Sequence, residues 1–260
     1  MLLAATALPF LWQLLTSFKP EADLLRLPPF LPERWSIENY ATVLVHPGLS
    51  LALLNSTGIC LIATLLALGV GALAAYPLAR LPLRGRGLWL AGILGASLLP
   101  VIALVSPLYL GIRLLGLRDT WLALIVPYLA LSLPLTVWLL TAFLREVPRE
   151  VEEAARLDGC SRFGILWRIL LPLAAPGLFS TGVIVFVFNW NEFLLALTFT
   201  ATDASRTVPV ALALFPGIHE IPWGDLAAAS IVVSLPPLAL ILGFHRWVIR
   251  GLTLGVLGRR

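Results

Sequence analysis

Six long stretches of this chain, at 1–18, 51–79, 88–112, 120–144, 174–202 and 226–244, carry only one charged residue between them, Glu192. A helix needs about 20 apolar residues to cross the hydrocarbon core of a bilayer. Inside that core every backbone polar group must be satisfied within the protein, which leaves helices or closed barrels. Each stretch therefore reads as a membrane span. The whole chain, 1–260, reads as one all-α, polytopic membrane domain with six transmembrane helices. Composition agrees, with 59% hydrophobic and 12% charged residues, against about 25% charged in soluble domains. A soluble globular protein and a disordered chain are both excluded. Prolines within the runs (Pro100, Pro107, Pro127, Pro134, Pro236, Pro237) predict kinks.

Charge sets the orientation. The loops at 80–86, 145–168 and 246–260 hold twelve of the 18 basic residues, and the loops on the other side hold six. The positive-inside rule makes the richer set cytoplasmic and puts both termini inside. The first run has neither a positive segment before it nor a small-x-small cleavage site, so it reads as a span rather than a signal peptide. The absence of basic residues before it is what a trimmed N-terminus would leave. The net charge of +4 belongs to these loops, and no nucleic-acid partner is implied. Lys19 is the only lysine and Pro20 follows it, which excludes a phosphate-binding loop ending in Lys-Ser or Lys-Thr. Cys60 and Cys160 read as packing thiols, and His46, His219 and His245 lie too far apart for a metal site.

The loop at 145–172 carries the most information. Pro148 suits a first helical turn, and Glu150, Glu152 and Glu153 favour a helix N-terminus. Gly159 is placed as a stop. Val151, Ala154, Ala155 and Asp158 share one face by spacing, and the two alanines there let another backbone approach. Ser161 is placed to cap a second helix carrying Phe163, Leu166, Trp167 and Leu170. Taken alone, this describes an amphipathic helix on the membrane surface.

The spacing Glu153-Ala154-Ala155, Gly159, Ile169 and Leu171-Pro172 resembles, without a gap, the EAA loop of binding-protein-dependent ABC importers. Asn39-Tyr40, Asn55-Ser56, the 74–80 stretch, Trp190-Asn191-Glu192-Phe193 and the 251–255 stretch are similar to the permease subunits of the carbohydrate-uptake group, in particular the six-span second subunit of maltose importers. The likeness covers the chain, with a departure in the tail at Val256-Leu257-Gly258-Arg259-Arg260.

The resemblance implies the type I importer fold with a cytoplasmic coupling helix, in a bacterial or archaeal cell membrane. It also implies the partners: a second permease, two copies of a cytoplasmic ATPase and an extracytoplasmic binding protein that delivers a sugar. ATP and magnesium would sit on the ATPase, so no cofactor and no catalytic residue is expected here. Glu153, Ala154, Ala155, Leu157, Asp158 and Gly159 would couple to the ATPase, with Ala154, Ala155 and Leu157 as the inserted surface and Gly159 at φ > 0.

Glu192 has two readings. With Asn189, Trp190 and Asn191 it forms a translocation-path wall that hydrogen-bonds sugar hydroxyls, or it makes a helix–helix hydrogen bond that holds the bundle. The 219–224 loop either touches the binding protein or is a plain turn, and Arg259 and Arg260 face lipid phosphates or the ATPase. A non-sugar importer shares the EAA loop. A secondary transporter is disfavoured by the single intramembrane acid and the lack of a repeat. A membrane enzyme is disfavoured by the absence of G-x-S-x-G and H-E-x-x-H.

Overall fold

The computed structural model describes residues 2–24, 31–32, 34–215 and 222–247. Every regular element among them is helical. In chain order they are α1 (Leu2–Ser17), α2 (Glu21–Leu24), α3 (Glu38–Val45), α4 (Pro47–Arg80), α5 (Arg86–Ala96), α6 (Val101–Leu114) and α7 (Leu122–Glu146). There follow α8 (Arg149–Leu157), α9 (Arg162–Ile165), a π-helical turn (Leu166–Leu170), α10 (Leu171–Leu173), α11 (Ala175–Trp190), α12 (Leu194–Phe199), α13 (Val208–Ala213) and α14 (Trp223–Gly243). The tail at 251–255, Arg259 and Arg260, and residues 219–221 of the 219–224 loop lie outside the described residues.

The helix α4 is the spine. Its 34 residues extend about 51 Å at 1.5 Å per residue, with Pro47 in the first turn where a missing N–H does no harm. It lies along α7, and α11 packs against both, while α14 packs on α1, α3 and α11. Small side chains permit this closeness. Ala63, Ala67, Ala72 and Ala75 are fully buried, and a β-carbon on Gly71 would sit 2.6 Å from Thr136 Cγ2. In lipid, association relies on such packing, because the solvent is as apolar as the side chains.

Two apolar cores are stacked along the α4–α7 pair. One gathers Leu49, Ile59, Leu124, Tyr128, Phe186, Leu195 and Phe199 at the end where α4 begins. The other gathers Ala75, Leu140, Leu144, Val147, Ala155, Ile165 and Leu170 at the end where α4 stops. Outward-facing leucines such as Leu54, Leu65, Leu88 and Leu114 stay exposed, and α5 has no buried residue. This is the surface of a protein that meets lipid or another membrane subunit.

The six apolar runs are helical, but not as six straight spans. Among the described residues three single helices, α4, α7 and α14, are long and apolar enough to cross, and counting each bent pair as one span gives up to five. The run 88–112 is α5 and α6, bent by 79° at a break that ends on Pro100. The run 174–202 stops at Trp190 and restarts as α12. The helices Arg162–Leu173 and Ala175–Trp190 are bent by 82° at Ala174. The first run is the 16-residue α1. Pro127 and Pro134 lie inside α7, which is one continuous helix.

Candidate functional site

The helix α8 begins after Val147, whose extended ψ of 129° ends α7, and Pro148 stands just outside the first turn rather than in it. Glu150 and Glu152 lie in the first turn and Arg156 in the last, matching the helix dipole. The end is a Schellman motif: Cys160 N donates to Ala155 O at 2.9 Å and Gly159 N to Arg156 O at 3.0 Å. It requires a left-handed residue, and Gly159 has φ of +81°. Ser161 then starts α9, its Oγ accepting from Gly164 N at 3.2 Å.

The inward face of α8 is set by Glu152 and Ala155, both buried. Ala155 joins the second core, so the expectation of Ala155 in an outward inserted surface is corrected: it faces its own bundle. Glu150, Glu153, Ala154 and Leu157 are exposed and share a face at i, i+3, i+4 and i+7 spacing. The outward stripe is therefore this one, not the Val151–Asp158 face that the spacing alone suggested. Leu157 is 90% exposed. Asp158 and Gly159 are exposed beside it and line, with Ser161, Phe163, Trp167 and Arg168, an open notch of about 520 Å³.

Glu152 is 4% exposed and is the hub of this end. Its Oε1 accepts from the Tyr76 hydroxyl at 3.0 Å and from Arg156. Its Oε2 lies 3.6 Å from Arg80 Nε. Arg80 also donates through Nη2 to Val147 O at 2.6 Å, and Arg145 donates to Leu78 O at 3.4 Å. The bonds to Tyr76 and Glu152 raise the pKa of Arg156, keeping it charged. The ends of α4, α7 and α8 are thus joined by buried polar contacts.

The second predicted cluster sits where α11 breaks. Glu192 Oε1 accepts from Leu195 N at 2.8 Å. Its Oε2 accepts from Ala196 N at 3.1 Å and from the Tyr128 hydroxyl at 3.0 Å. Asn189 is buried and, among the described residues, neither side-chain amide atom has a hydrogen-bond partner. Trp190 is buried and stacked on Phe186, and Asn191 is exposed with its Nδ2 donating to Val187 O at 2.7 Å. Trp190 and Asn191 line a recess of about 350 Å³ with Val233 and Pro237. Asn189 and Glu192 are not among its lining residues.

Sequence reasoning missed the ties at the end of the bundle where α4 begins. Asn55 donates to Asp203 O and Arg206 O at 3.0 Å each and accepts from Trp121 Nε1 at 3.0 Å. Asp119, at φ of +61°, accepts from Ala201 N, Thr202 N and Ser205 Oγ. Asn55 lies 21 residues before Tyr76, about 31 Å along α4, so the two networks clasp opposite ends. The left-handed Asp119 carries a weak sequence signal in Leu117-Arg118-Asp119-Thr120, where an Asp stands between two apolar runs.

The family described as "Binding-protein-dependent transport system inner membrane component" matches residues 67–253. The trehalose/maltose transport system permease protein MalG of Thermococcus litoralis is 41% identical over 252 residues, covering 96% of this chain and 90% of that protein. The sulfoquinovosyl glycerol transport system permease protein SmoH of Agrobacterium fabrum is 42% identical, covering 95% and 87%. The trehalose transport system permease protein SugB of Mycobacterium tuberculosis is 41% identical, covering 95% and 91%. Among solved structures, a bacterial ABC transporter involved in the import of the acidic polysaccharide alginate has a chain that superimposes with a TM-score of 0.77. Its identity is 21%, with coverage of 93% of this chain and 90% of that one, a likeness of fold.

Proposed function

The chain belongs to the family of binding-protein-dependent transport system inner membrane components, and from that premise we propose that it is one permease subunit of an ATP-driven importer for sugars. It pairs with a second permease, two copies of a cytoplasmic ATPase and an extracytoplasmic binding protein. Its curated relatives are named for trehalose, maltose and sulfoquinovosyl glycerol transport, which supports a sugar or glycoside as solute. The α8 end lies in the cytoplasm, in keeping with the basic loops there. Both termini are then cytoplasmic.

The observation that carries this reading is the outward stripe of α8. A helix bound to the bundle through one face, with Glu153, Ala154 and Leu157 exposed on the other, is a lever with a free surface. The ATPase grips that stripe and the notch beside Gly159. ATP and magnesium stay on the ATPase, and its closure displaces α8. The spans then alternate between inward-open and outward-open states, and the sugar passes from the binding protein into the cell. Asn189, Trp190, Asn191 and Glu192 lie on or beside the path, with Asn189 offering a buried amide that has no partner among the described residues.

The test is reconstitution. The binding protein encoded with this chain is screened against a sugar panel, and the four components are placed in proteoliposomes. ATP-dependent uptake of the retained sugar, with the ATPase co-purifying, is the expected result. Uptake by this chain alone, without ATPase, would overturn the reading in favour of a secondary carrier.

A further inference from the structure

The importer reading requires a displacement of α8 to reach the membrane helices, and on the α4 side the structure contains a weak place where it would be absorbed. Pro77 lies inside α4, three residues from its end. Proline has no N–H, so the turn before it lacks a backbone hydrogen bond, and helices bend at such positions. The last turn of α4 is the part of this helix nearest α8, as the Arg80–Glu152 contact shows.

Glu152 bridges that place. Tyr76 and Arg80 stand on either side of Pro77, one helical turn apart, and share a face of α4. One carboxylate meets both, through Oε1 to Tyr76 and Oε2 to Arg80. Arg80 in turn holds the Val147 carbonyl, where α7 ends. The side chains of Arg80 and Glu152 are 2% and 6% exposed, so water competes little for these contacts. The neighbouring Glu153 is exposed and makes no such tie among the described contacts.

We propose that Glu152 is a positioning residue that splints α4 across Pro77, so that α8 and the ends of α4 and α7 move as one body when the ATPase acts on α8. This rests on the importer reading. Arg156 bonds Glu152 from the same helix and also meets the Tyr76 hydroxyl, so it reinforces the same tie between α8 and α4.

The experiment measures sugar transported per ATP hydrolysed by the complete reconstituted transporter, for the unmodified chain and for the variants Glu152→Gln and Tyr76→Phe. Tyr76→Phe removes a single hydroxyl and preserves the ring that packs in the core. Both variants are expected to assemble with the ATPase and hydrolyse ATP, while sugar per ATP falls by about fivefold or more, the range of a typical coupling free energy. An unchanged ratio in both variants overturns the proposal. So does a parallel loss of hydrolysis and uptake, since that reports assembly rather than transmission. If Glu152→Gln does not assemble, the ratio for Tyr76→Phe decides by the same criterion. Absence of ATP-driven uptake by the unmodified complex would instead defeat the importer reading itself.

Discussion

The Tyr76 hydroxyl and the Glu152 carboxylate meet at 3.0 Å, 76 residues apart in sequence. Neither belongs to a regular pattern that pairs them. The bond exists because the break after Glu146 turns α8 back under the end of α4, and the inward face of α8 there is Glu152 and Ala155. An apolar pair would hold the helices together equally well, and buried ion pairs seldom stabilise more than an apolar substitute. What the polar network adds is a fixed register between three helix ends.

Removing one partner of that network leaves a buried charge. Glu152→Ala orphans Arg80, whose side chain is 2% exposed, and is expected to destabilise by about 3–5 kcal/mol. Adding Arg80→Met removes the orphan and is expected to recover part of the loss, a non-additive result for residues in contact. Thermal unfolding of the purified complex in detergent measures both. Simple additivity of the two substitutions would contradict the pairing.

The spans were legible because the bilayer fixes their length, and an uncharged run of that length has few other fates. Gly159 was legible because a Schellman ending needs a left-handed residue. The break in the third run was legible only as a kink at Pro100, since Leu98 and Leu99 keep that turn apolar, and the break in the fifth falls on Asn191 and Glu192, polar residues that do not by themselves mark a helix end. Glu152 was not distinguishable from Glu150 and Glu153 in sequence: all three suit a helix N-terminus. Which one turns inward is decided by how α8 docks on α4, a tertiary fact. The same holds for Ala154 and Ala155, adjacent and identical, of which only Ala155 is buried. The ties of Asp119 were invisible because its partners lie at 201–205.

Substitution at Gly159 separates folding from coupling. A β-carbon there meets nothing within 4 Å, so Gly159→Ala is penalised only by its φ of +81°, about 1 kcal/mol. Gly159→Asn is expected to be milder, since asparagine visits this region. Gly159→Arg is expected to insert and fold, yet to lose ATPase binding, because it fills the notch beside α8. Co-purification of the ATPase, set against the melting temperature of each variant, checks the three expectations.

Asp119 gives a pH signature. Burial pushes its carboxyl up, but hydrogen bonds from Ser205, Thr202 and Ala201 outweigh this and hold it well below the usual carboxylate range. An acid depressed in the folded state contributes stability that is complete above its unfolded value, about 3.9, and is lost as pH falls through the folded one. Asp119→Asn keeps the left-handed tolerance but loses the charge. It is expected to cost about 1 kcal/mol at neutral pH, after discounting for partial exposure. The melting difference between the two proteins should stay level from pH 8 to pH 5 and narrow below about pH 4. A difference that changes between pH 8 and pH 6 would show that another group is responsible.

Glu192 poses the question of whether a carboxylate in the membrane serves the bundle or the solute. It accepts from Leu195 N and Ala196 N, which open α12, and from the Tyr128 hydroxyl of α7. Three donors already claim its two oxygens, so a sugar hydroxyl would meet a carboxylate that is occupied in this state. Glu192→Ala strands two backbone N–H groups and a buried phenol, and is expected to destabilise by about 2–4 kcal/mol. Glu192→Gln keeps one of the two acceptor oxygens and should lose less. Tyr128→Phe should lose about 1 kcal/mol, since it removes one bond and leaves both oxygens served by backbone donors. Melting curves for the three variants, with the KM of sugar uptake beside them, decide the role. A structural Glu192 moves the melting temperature and leaves KM near its original value in Glu192→Gln. A solute-binding Glu192 raises KM in both Glu192 variants while Glu192→Ala melts like the parent.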